Sequence, residues 1–483
     1  MSSGPDGATP TATPVGAAAL YMAPMVVASI LPLITLPIFT RTLSRDEYGQ
    51  WGIATAFGAL VAGIASLGIQ IGYERGYFAA KEGDRRQRLL WSVISFSVAT
   101  QLVGLLVVLA MGSYFAGRLL DRPQLSFMLV IAFGTAAITA IKAPFLTTLR
   151  NEGRAREFAT FSIDELFLGA ALSLVGVLWL KWGVTGMLLG PLVASSTVFL
   201  LLGVRFARQT AVGFAAPELR EALGISLPLL PRVFIGAFNN QIDRLILGAV
   251  GSLGAVGVYT LGMRMAQLVF SWMSALQNVY QPTVYRMLFA KAAPREIGEY
   301  LLPFGYASAL VALGVTLFST EIVVVLAPPE YGAASSVLAV LAVNFGLMFF
   351  AKQPQLVFAG RTGITSVISI VTLAVTTAGA WLGAVAGGAV GAAVGVLVGG
   401  IVTGTLALVV SQRFAPIGYP RAEALAIFGT LPLALALVLL LDASAIPAAG
   451  KIIIKATALG GFLLAGWRSG WLSLIRTRVQ SRT

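Results

Sequence analysis

The sequence predicts an all-α polytopic membrane protein with about fourteen transmembrane helices. Of its 483 residues, 57% are hydrophobic and 11% are charged, whereas soluble domains carry about 25% charged residues. Apolar runs follow one another along the whole chain, and each approaches the roughly 20 residues that a spanning helix needs. Lipid cannot satisfy the backbone of an open strand, so we expect these runs to be helices. The runs lie near residues 17–40, 49–72, 89–113, 125–149, 158–180, 183–207, 223–249, 255–280, 298–326, 335–358, 363–384, 388–411, 424–442 and 450–467.

The distribution of Lys and Arg predicts the orientation of the spans. With the N-terminus in the cytoplasm, twenty-one Lys and Arg residues fall in cytoplasmic loops or the C-terminal tail, and six fall in outer loops. This positive-inside bias places both termini in the cytoplasm. The formal net charge of +13 is then a topology signal and not the mark of a nucleic-acid-binding surface.

The sequence contains no cysteine and no histidine. This composition excludes disulfide bonds, thiolate or imidazole metal sites and any Ser-His or Cys-His nucleophile. We therefore expect no metal site, no cofactor and no catalytic residue.

The first twelve spans look like an internal duplication. Leu31–Leu33, followed by Pro37 in span one, recurs as Leu227–Leu229, followed by Pro231 in span seven. Spans six and twelve open with three glycines at the same spacing: Gly183, Gly186 and Gly190 in the first case, Gly388, Gly391 and Gly395 in the second. Six spans per half is an even number, so the halves insert in the same direction as a parallel repeat about the membrane normal.

This duplication predicts two six-helix bundles followed by two additional helices. The predicted regions are a disordered cytoplasmic tail at 1–16, an N-terminal bundle at 17–207, a cytoplasmic linker at 208–222, a C-terminal bundle at 223–411, two additional helices within 412–472 and a basic cytoplasmic tail at 473–483.

Spans seven and eight carry polar stripes inside apolar runs. In span seven, the residues spaced four, three and four apart are Arg232, Gly236, Asn239 and Asp243. In span eight, the stripe is formed by Arg264, Gln267, Ser271, Ser274 and Asn278. Such spacing places each set on one helix face, and a charge in hydrocarbon costs at least about 2.5 kcal/mol. The two stripes are therefore predicted to form two walls of one wet cavity.

Arg232 and Arg264 are the leading candidates for substrate binding because both lie near mid-membrane. A guanidinium group binds phosphate with a planar fork of donors, so we expect an anionic substrate. The alternative is a structural ion pair with Asp243 or with Glu165 of span five.

The other candidate residues leave more than one role open. Lys142 and Lys352 occupy matching places in the two halves, each two residues before a proline, and either bind substrate or extend to the inner headgroups. Asp243 pairs with Arg244, binds a coupling cation or caps the cavity. Pro32 and Pro37 predict an irregular first span that acts as a gate, unless neighbouring helices satisfy its backbone. The complete candidate set is Arg264, Arg232, Asn239, Gln267, Lys142 and Lys352 for substrate binding, and Asp243, Glu165, Pro32 and Pro37 for coupling or gating.

Several short motifs resemble one transporter family. They are Leu43–Gly49 after span one, Gln241–Gly248, Gly257–Gly262 and Gly360–Thr362. Together they are similar to the polysaccharide-transporter branch of the MOP superfamily, the Wzx-type oligosaccharide flippases, over roughly residues 17–411. The resemblance implies two six-helix bundles around a V-shaped cavity in a bacterial cytoplasmic (inner) membrane. It also implies alternating-access movement of undecaprenyl-diphosphate-linked sugars to the outer leaflet.

The same resemblance places Arg264 where related lipid II flippases carry a cavity cation. The first span has no charged residue before Arg41, which departs from those flippases and argues against a peptidoglycan precursor. The expected partners are a polyprenyl-diphosphate-linked glycan, membrane lipids and a polysaccharide polymerase or other assembly proteins, with no nucleic acid.

Two alternatives to a flippase remain at this stage. A cation-coupled multidrug exporter of the same superfamily would carry an apolar cargo and need fewer cavity cations. A membrane glycosyltransferase, ligase or polymerase would need a large outer loop or a cluster of catalytic carboxylates, and the sequence has neither. We therefore expect a transporter and not an enzyme.

Overall fold

A computed structural model describes residues 14–80, 83–351, 354–359 and 362–470. Within these ranges every regular element is helical. In chain order the helices are α1 (Pro14–Thr42), α2 (Arg45–Ala65), α3 (Ile69–Ala79), α4 (Gly83–Leu119), α5 (Ser126–Asn151), α6 (Ala155–Leu174), α7 (Gly183–Gln209), α8 (Ala216–Ser226), α9 (Leu230–Asn239), α10 (Ile242–Val250), α11 (Leu253–Phe289), α12 (Pro294–Leu317), α13 (Ser319–Leu326), α14 (Ala334–Ala351), α15 (Gln355–Phe358), α16 (Thr362–Gln412), α17 (Arg421–Phe428), α18 (Thr430–Ala443) and α19 (Ala448–Arg468).

The predicted all-α membrane fold is confirmed. By length and composition, the described residues contain 12 helices able to cross a membrane, or up to 13 if each bent pair is one span. One of the twelve, α16, is a hairpin. Its backbone leaves helical geometry at Gly387 and Gly388, and Gly388 has φ +56°, which glycine adopts without strain. Counting the two arms of α16 separately brings the number of spans close to the predicted fourteen.

The second predicted span is broken. Together, helices α2 and α3 are long and apolar enough to cross a membrane, but they meet at an angle of 48°. Between them, Leu67 and Gly68 both have positive φ, and the Ser66 hydroxyl accepts a hydrogen bond from the Gly68 N–H at 3.3 Å. A side-chain acceptor thus replaces a backbone partner that the break removes.

The seventh predicted span is also divided, and here the expectation of one continuous polar stripe is wrong. The chain forms α8, a 3-10 turn over Leu227–Leu229, α9, and then α10 after a break at Asn240 and Gln241. Pro228 and Pro231 lack the N–H groups that a regular helix would use there. Because the break changes the direction of successive side chains, Arg232 on α9 and Asp243 on α10 do not share one helical face.

The helices cluster into two compact units. Among the described residues, unit 1 comprises those up to Thr35, Val61–Gly112 and Phe127–Leu230. Unit 2 comprises Leu36–Leu60, Ser113–Ser126 and the residues from Pro231 onward. The predicted division into two six-helix bundles with boundaries at 207 and 223 stays a prediction.

Unit 1 has an aromatic and aliphatic core towards the predicted cytoplasmic side. Tyr73, Phe145 and Phe206 are almost fully buried within it. Helix α8, which covers much of the predicted linker, packs on this core: the Ser226 hydroxyl accepts a hydrogen bond from the Gly72 N–H at 3.1 Å. An ion pair between Arg85 and Glu221 at 2.6 Å adds a surface contact.

Unit 2 is organised around α14. In its apolar membrane-spanning segment, 67% of the residues are buried, a larger share than in any other candidate span of the described residues. It packs against α11, α12 and α16. In the N-terminal half of α19, Lys455 is fully buried and forms an ion pair with Glu321 of α13 at 2.8 Å. This pair holds one of the two additional C-terminal helices to the rest of unit 2.

The glycines that suggested a duplication make similar contacts in the two units. In unit 1, a Cβ atom added to Gly186 would lie 2.6 Å from the backbone of Gly176. In unit 2, a Cβ atom added to Gly391 would lie 2.0 Å from the carbonyl oxygen of Gly383. Both hairpins therefore use glycine to bring two backbones into contact; the equivalence of Gly186 and Gly391 stays a prediction.

Candidate functional site

The candidate site is built around Arg264, in the fourth turn of α11. Its guanidinium carbon lies 4.7 Å from the centroid of the Trp51 ring, and the side chain is partly buried. Among the described residues, no carboxylate forms a salt bridge with it. A guanidinium over the face of an indole gains a cation–π interaction worth about 0.5–2 kcal/mol, but its charge is not neutralised.

Trp51 reaches Arg264 because the first turns of α2 cross the first turns of α11. A Cβ atom added to Gly49 would lie 2.0 Å from the Leu253 carbonyl oxygen, and one added to Gly257 would lie 2.1 Å from the Arg45 carbonyl oxygen. Only glycine allows backbones to approach so closely. The glycines of two family-like motifs thus have a steric role at this crossing.

The start of α2 is capped by its own side chains. The Glu47 carboxylate accepts hydrogen bonds from the Ser44 N–H at 2.9 Å and the Ser44 hydroxyl at 3.0 Å, and the Ser44 oxygen accepts from the Glu47 N–H at 3.3 Å. This capping box satisfies backbone donors that a helix start leaves free. It fixes the first turn of α2, from which Trp51 projects.

A buried tyrosine links the end of α1 to the loop between α13 and α14. Tyr331 donates a hydrogen bond to the Leu43 carbonyl oxygen at 3.0 Å, and its ring packs edge-on against Tyr48. Burial raises the pKa of the Tyr331 phenol well above its usual range. The hydroxyl therefore stays protonated and remains a donor, and its hydrogen bond to Leu43 does not change across the physiological pH range.

Asp243 is already engaged by residues other than Arg264. Its carboxylate accepts a hydrogen bond from the Tyr259 hydroxyl at 2.5 Å and from the Arg244 N–H at 2.8 Å. The Arg244 side chain is a looser partner, with Nε 3.9 Å from the carboxylate. Of the three roles considered for Asp243, this geometry corresponds to pairing with Arg244.

Arg244 adds a second cation to the site. Its guanidinium lies close enough to that of Arg264 for the two to repel each other. Its Nε is buried without a hydrogen-bond partner, and its terminal nitrogen makes a long bond of 3.4 Å to the Asn240 carbonyl oxygen. Arg244 is thus only loosely paired with Asp243, which Tyr259 also satisfies, and Arg264 has no salt bridge among the described residues, so a positive surplus remains.

A cavity of about 360 Å³ with both polar and apolar lining residues lies inside unit 2, next to these residues. Four carboxamides face it, and we call it the amide cavity. Its polar lining is Asn239, Asn240, Asp243, Arg244, Gln267, Asn344, Thr372, Thr376 and Thr403, and its apolar lining includes Met263, Phe270, Phe345 and Met348. The first four of these residues are Asn240 in the break between α9 and α10 and its neighbours at the end of α9 and the start of α10, so the irregular backbone lines a cavity.

The structure brings some predicted site residues together and separates others. Asn239, Gln267 and Asp243 line the amide cavity. Arg264 lies one turn from Gln267 on α11 but is not among the lining residues, and Arg232 is exposed on α9 and not among them either. The prediction that both arginines project into one cavity between the two halves stays a prediction.

Lys142 and Glu165 form a separate cluster in unit 1. The Lys142 side chain is 2% exposed and forms an ion pair with Glu165, and its ammonium also donates to the Ser195 hydroxyl at 2.6 Å. Extension of Lys142 to the headgroups is therefore wrong, because its charge is satisfied within the protein. Glu165 is likewise the partner of Lys142 and not of Arg264 or Arg232.

The remaining candidates are Lys352, Pro32 and Pro37. Lys352 lies outside the described residues. Pro32 and Pro37 lie within one continuous helix, α1, and the boundary between the two units falls between them, after Thr35. Their gating role stays a prediction.

Sequence reasoning gave too little weight to Arg244 and did not identify Asn344. Arg244 follows Asp243 directly, so it looked like a local partner and not a second cation. Asn344 is 7% exposed and is the one strongly polar side chain in the long apolar run of α14, a signal that an isolated intramembrane amide supplies. Among the described residues, no group of three or more His, Cys, Asp or Glu side chains could hold a metal ion.

Solved structures with the same fold are transporters. The chain is similar to the lipid II flippase MurJ in an inward closed conformation, at 16% identity and TM-score 0.73, over 93% of this chain and 99% of that chain. It is similar to the inward-facing conformation of a multidrug resistance MATE family transporter of the MOP superfamily, at 16% identity and TM-score 0.62, over 82% and 97%. A variant of the Vibrio cholerae MATE transporter VcmN matches at 19% identity and TM-score 0.53, over 82% and 96%.

Sequence comparison identifies the family. No curated protein sequence matches the chain. The profile of one family, described as polysaccharide biosynthesis protein, matches residues 38–327, which is more than half of the chain and includes α2, α11 and the break between α9 and α10. The resemblance to polysaccharide transporters of the MOP superfamily is thereby confirmed, and the chain belongs to the family of polysaccharide biosynthesis proteins.

Proposed function

We propose that this protein is a flippase that moves an undecaprenyl-diphosphate-linked oligosaccharide, or a related polysaccharide precursor, across the cytoplasmic membrane by alternating access. Membership of a polysaccharide biosynthesis family and a fold shared with the lipid II flippase MurJ support this function. The observation that carries it is the positive surplus formed by Arg264 and Arg244 beside the amide cavity.

The two arginines suit a diphosphate for electrostatic reasons. Two like charges close together inside a membrane-spanning bundle repel each other, and a bound anion would remove that repulsion. A guanidinium donates two parallel hydrogen bonds to phosphate oxygens, and each charge-assisted bond contributes roughly 1.5–3 kcal/mol. Arg264 is the better anchor, because among the described residues its charge has only the Trp51 ring as a partner.

The setting of the site agrees with a lipid-linked cargo. Arg264 lies within the long apolar helix α11 and Arg244 lies on the short helix α10 that packs against it, so a phosphate that reaches them must arrive from water or on a lipid. The positive-inside bias supports cytoplasmic termini and loading from the inner leaflet of a bacterial cytoplasmic membrane. A polysaccharide polymerase or another assembly protein would then take over the glycan at the outer leaflet.

The second candidate is a cation-coupled multidrug exporter, which the likeness to MATE transporters favours. A cationic drug or coupling cation would need a free carboxylate. Asp243 already accepts hydrogen bonds from Tyr259 and from the Arg244 N–H, which makes it a poor ligand for an added cation. An enzyme of glycan assembly is less compatible with a fold shared with transporters.

A deletion experiment tests the proposal. Cells lacking the protein should accumulate a complete lipid-linked oligosaccharide in the inner leaflet, and the wild-type gene should clear it. The measurement is lipid extraction with mass spectrometry, combined with a membrane-impermeant glycan label that reports the leaflet. Drug sensitivity without lipid accumulation would support the exporter instead, and accumulation of a fully flipped but unextended glycan would indicate a transferase or polymerase.

A further inference from the structure

We propose that the amide cavity binds the first sugar of the lipid-linked glycan, that this sugar is uncharged and carries an acetamido group, and that Asn344 selects it. This inference rests on the proposed function, because it assumes that the diphosphate next to the sugar is held at Arg264. It extends that function by naming the sugar class and the residue that recognises it.

The charges around the cavity favour a neutral ligand. Its carboxylate, Asp243, is hydrogen-bonded to Tyr259 and is only 6% exposed, so it is not available for a positively charged group. The nearby positive surplus belongs to Arg244 and Arg264, which the diphosphate would use. The rest of the polar lining consists of amides and hydroxyls, which hydrogen-bond to uncharged partners.

The amides are arranged by depth. Asn240 and Gln267 line the cavity and are exposed, whereas Asn344 is 7% exposed and lies on α14 next to Phe345. Gln267 is three residues after Arg264, so the two side chains are neighbours on one face of α11, about 5–6 Å apart at Cβ. A group attached directly to a phosphate at Arg264 would therefore meet Gln267 first and Asn344 last.

The hydroxyl groups in the lining act mainly as acceptors. Thr372 donates its hydroxyl hydrogen to the Ile368 carbonyl oxygen and Thr403 donates to the Gly399 carbonyl oxygen, both at 2.8 Å. Each hydroxyl oxygen keeps a lone pair that can accept a hydrogen bond. Sugar O–H and amide N–H groups are the donors that such a surface would pair with.

The surroundings of Asn344 suit an acetamido group. A carboxamide presents one acceptor and two donors, which complement the N–H and C=O of a second amide. Phe345 and Met348, on the same helix, add apolar surface to the cavity, and a methyl group would pack against it. An acetamido substituent combines one amide with one methyl group, whereas a plain hydroxyl would leave part of the Asn344 amide unpaired at a cost in affinity.

Gly400 keeps Asn344 in place. A Cβ atom added at position 400 would lie 2.1 Å from the Asn344 Oδ1 atom. Alanine at this position would therefore push the amide away while leaving its chemistry unchanged. Gly400→Ala therefore tests the position of the Asn344 amide, whereas Asn344→Leu tests its chemistry.

The experiment measures binding of three probes to the purified full-length protein in nanodiscs. The probes are undecaprenyl diphosphate, undecaprenyl diphosphate glucose and undecaprenyl diphosphate N-acetylglucosamine. For the wild type, we expect the acetamido probe to bind about tenfold more tightly than either of the others. Asn344→Leu should abolish that preference and leave binding of undecaprenyl diphosphate unchanged, and Gly400→Ala should reduce the preference several-fold.

Controls separate this inference from the proposed function. Arg264→Ala should weaken the binding of all three probes by a similar factor. Thr197→Val, which removes a hydroxyl with an exposed hydrogen bond in unit 1, should leave the binding of all three unchanged. If no probe binds wild-type protein, the proposed function fails. If the probes bind through Arg264 but glucose and N-acetylglucosamine bind equally well, or if Asn344→Leu and Gly400→Ala both keep the preference, the sugar site is overturned and the diphosphate site stands.

Discussion

Lys142 in unit 1 and Arg264 in unit 2 are both cations within membrane-spanning helices, but only one of them is neutralised. Lys142 is 2% exposed, forms an ion pair with Glu165 and donates to Ser195. Arg264 lies over the Trp51 ring and, among the described residues, has no acidic partner. Burying a charge is costly unless it is paired. The ion pair with Glu165 offsets this cost at Lys142, whereas at Arg264 it is only partly offset.

The difference separates a structural role from a binding role. Lys455 follows the pattern of Lys142, because it is buried and paired with Glu321. A cation of this kind ties helices together and has little attraction left for a ligand. Arg264 retains its charge and its planar donors, and the nearby Arg244 increases the positive potential around it. We infer that the paired lysines hold the fold and that the unpaired arginine holds the substrate.

The largest expected effect comes from breaking the unit 1 pair. Lys142→Met removes the ammonium and leaves the Glu165 carboxylate, which is 21% exposed, without its partner. Removing one member of a buried pair costs roughly 3–5 kcal/mol, and we expect about 3 kcal/mol because Glu165 is partly solvated. Thermal unfolding in detergent, followed by tryptophan fluorescence, should show the loss.

The double variant Lys142→Met/Glu165→Leu sharpens the comparison. It removes both charges and should recover most of the lost stability, together with transport. A stable double variant that fails to transport would contradict the structural role and return Lys142 to the substrate site.

The next largest effect is expected at Arg264. Arg264→Ala should leave the protein folded and inserted but weaken substrate binding about tenfold or more, since one charge-assisted bond is worth roughly 1.5–3 kcal/mol and 1.4 kcal/mol is tenfold. Arg264→Lys should rescue partly, because it keeps the charge and loses the fork. Flipping by reconstituted vesicles, normalised to protein content, is the measurement.

The variant Asp243→Asn/Arg264→Gln tests whether Arg264 is only a partner of Asp243. Asp243 instead contacts Tyr259 and Arg244, so removing both charges should not restore transport. Recovery of transport by this double variant, or wild-type transport by Arg264→Ala, would end the assignment of Arg264 to the substrate site.

The smallest effect is expected at Trp51, whose ring packs against the Arg264 guanidinium. Trp51→Leu removes a cation–π contact worth about 0.5–2 kcal/mol and should weaken binding by a few-fold. Trp51→Phe keeps a ring and should lose less. Equal losses for Trp51→Leu and Arg264→Ala would mean that the ring and the guanidinium act as one packing unit and that charge is not the important property.

Much of the fold could be predicted from local patterns. Hydrophobic runs of about 20 residues predict spans wherever they occur, and the predicted runs 363–384 and 388–411 meet close to the turn that α16 makes at Gly387 and Gly388. The break at Asn240 and Gln241 was missed, because a helical stripe from Arg232 to Asp243 fits the period of 3.6 residues even where the chain leaves the helix. A break inside a span depends on whether neighbouring groups form hydrogen bonds with the backbone groups that the break frees. A periodic sequence pattern carries no information about those neighbours.

The sequence by itself determined that this is a helical membrane protein, which family motifs it carries and which charges lie within its spans. Each of these properties depends on composition or on residues close together in the chain. The tertiary structure alone decided that Lys142 meets Glu165, that Asp243 meets Tyr259 and that Arg264 meets Trp51. The physical reason is that the cost of an intramembrane charge is set by residue type, whereas its compensation is set by side chains that come from other helices.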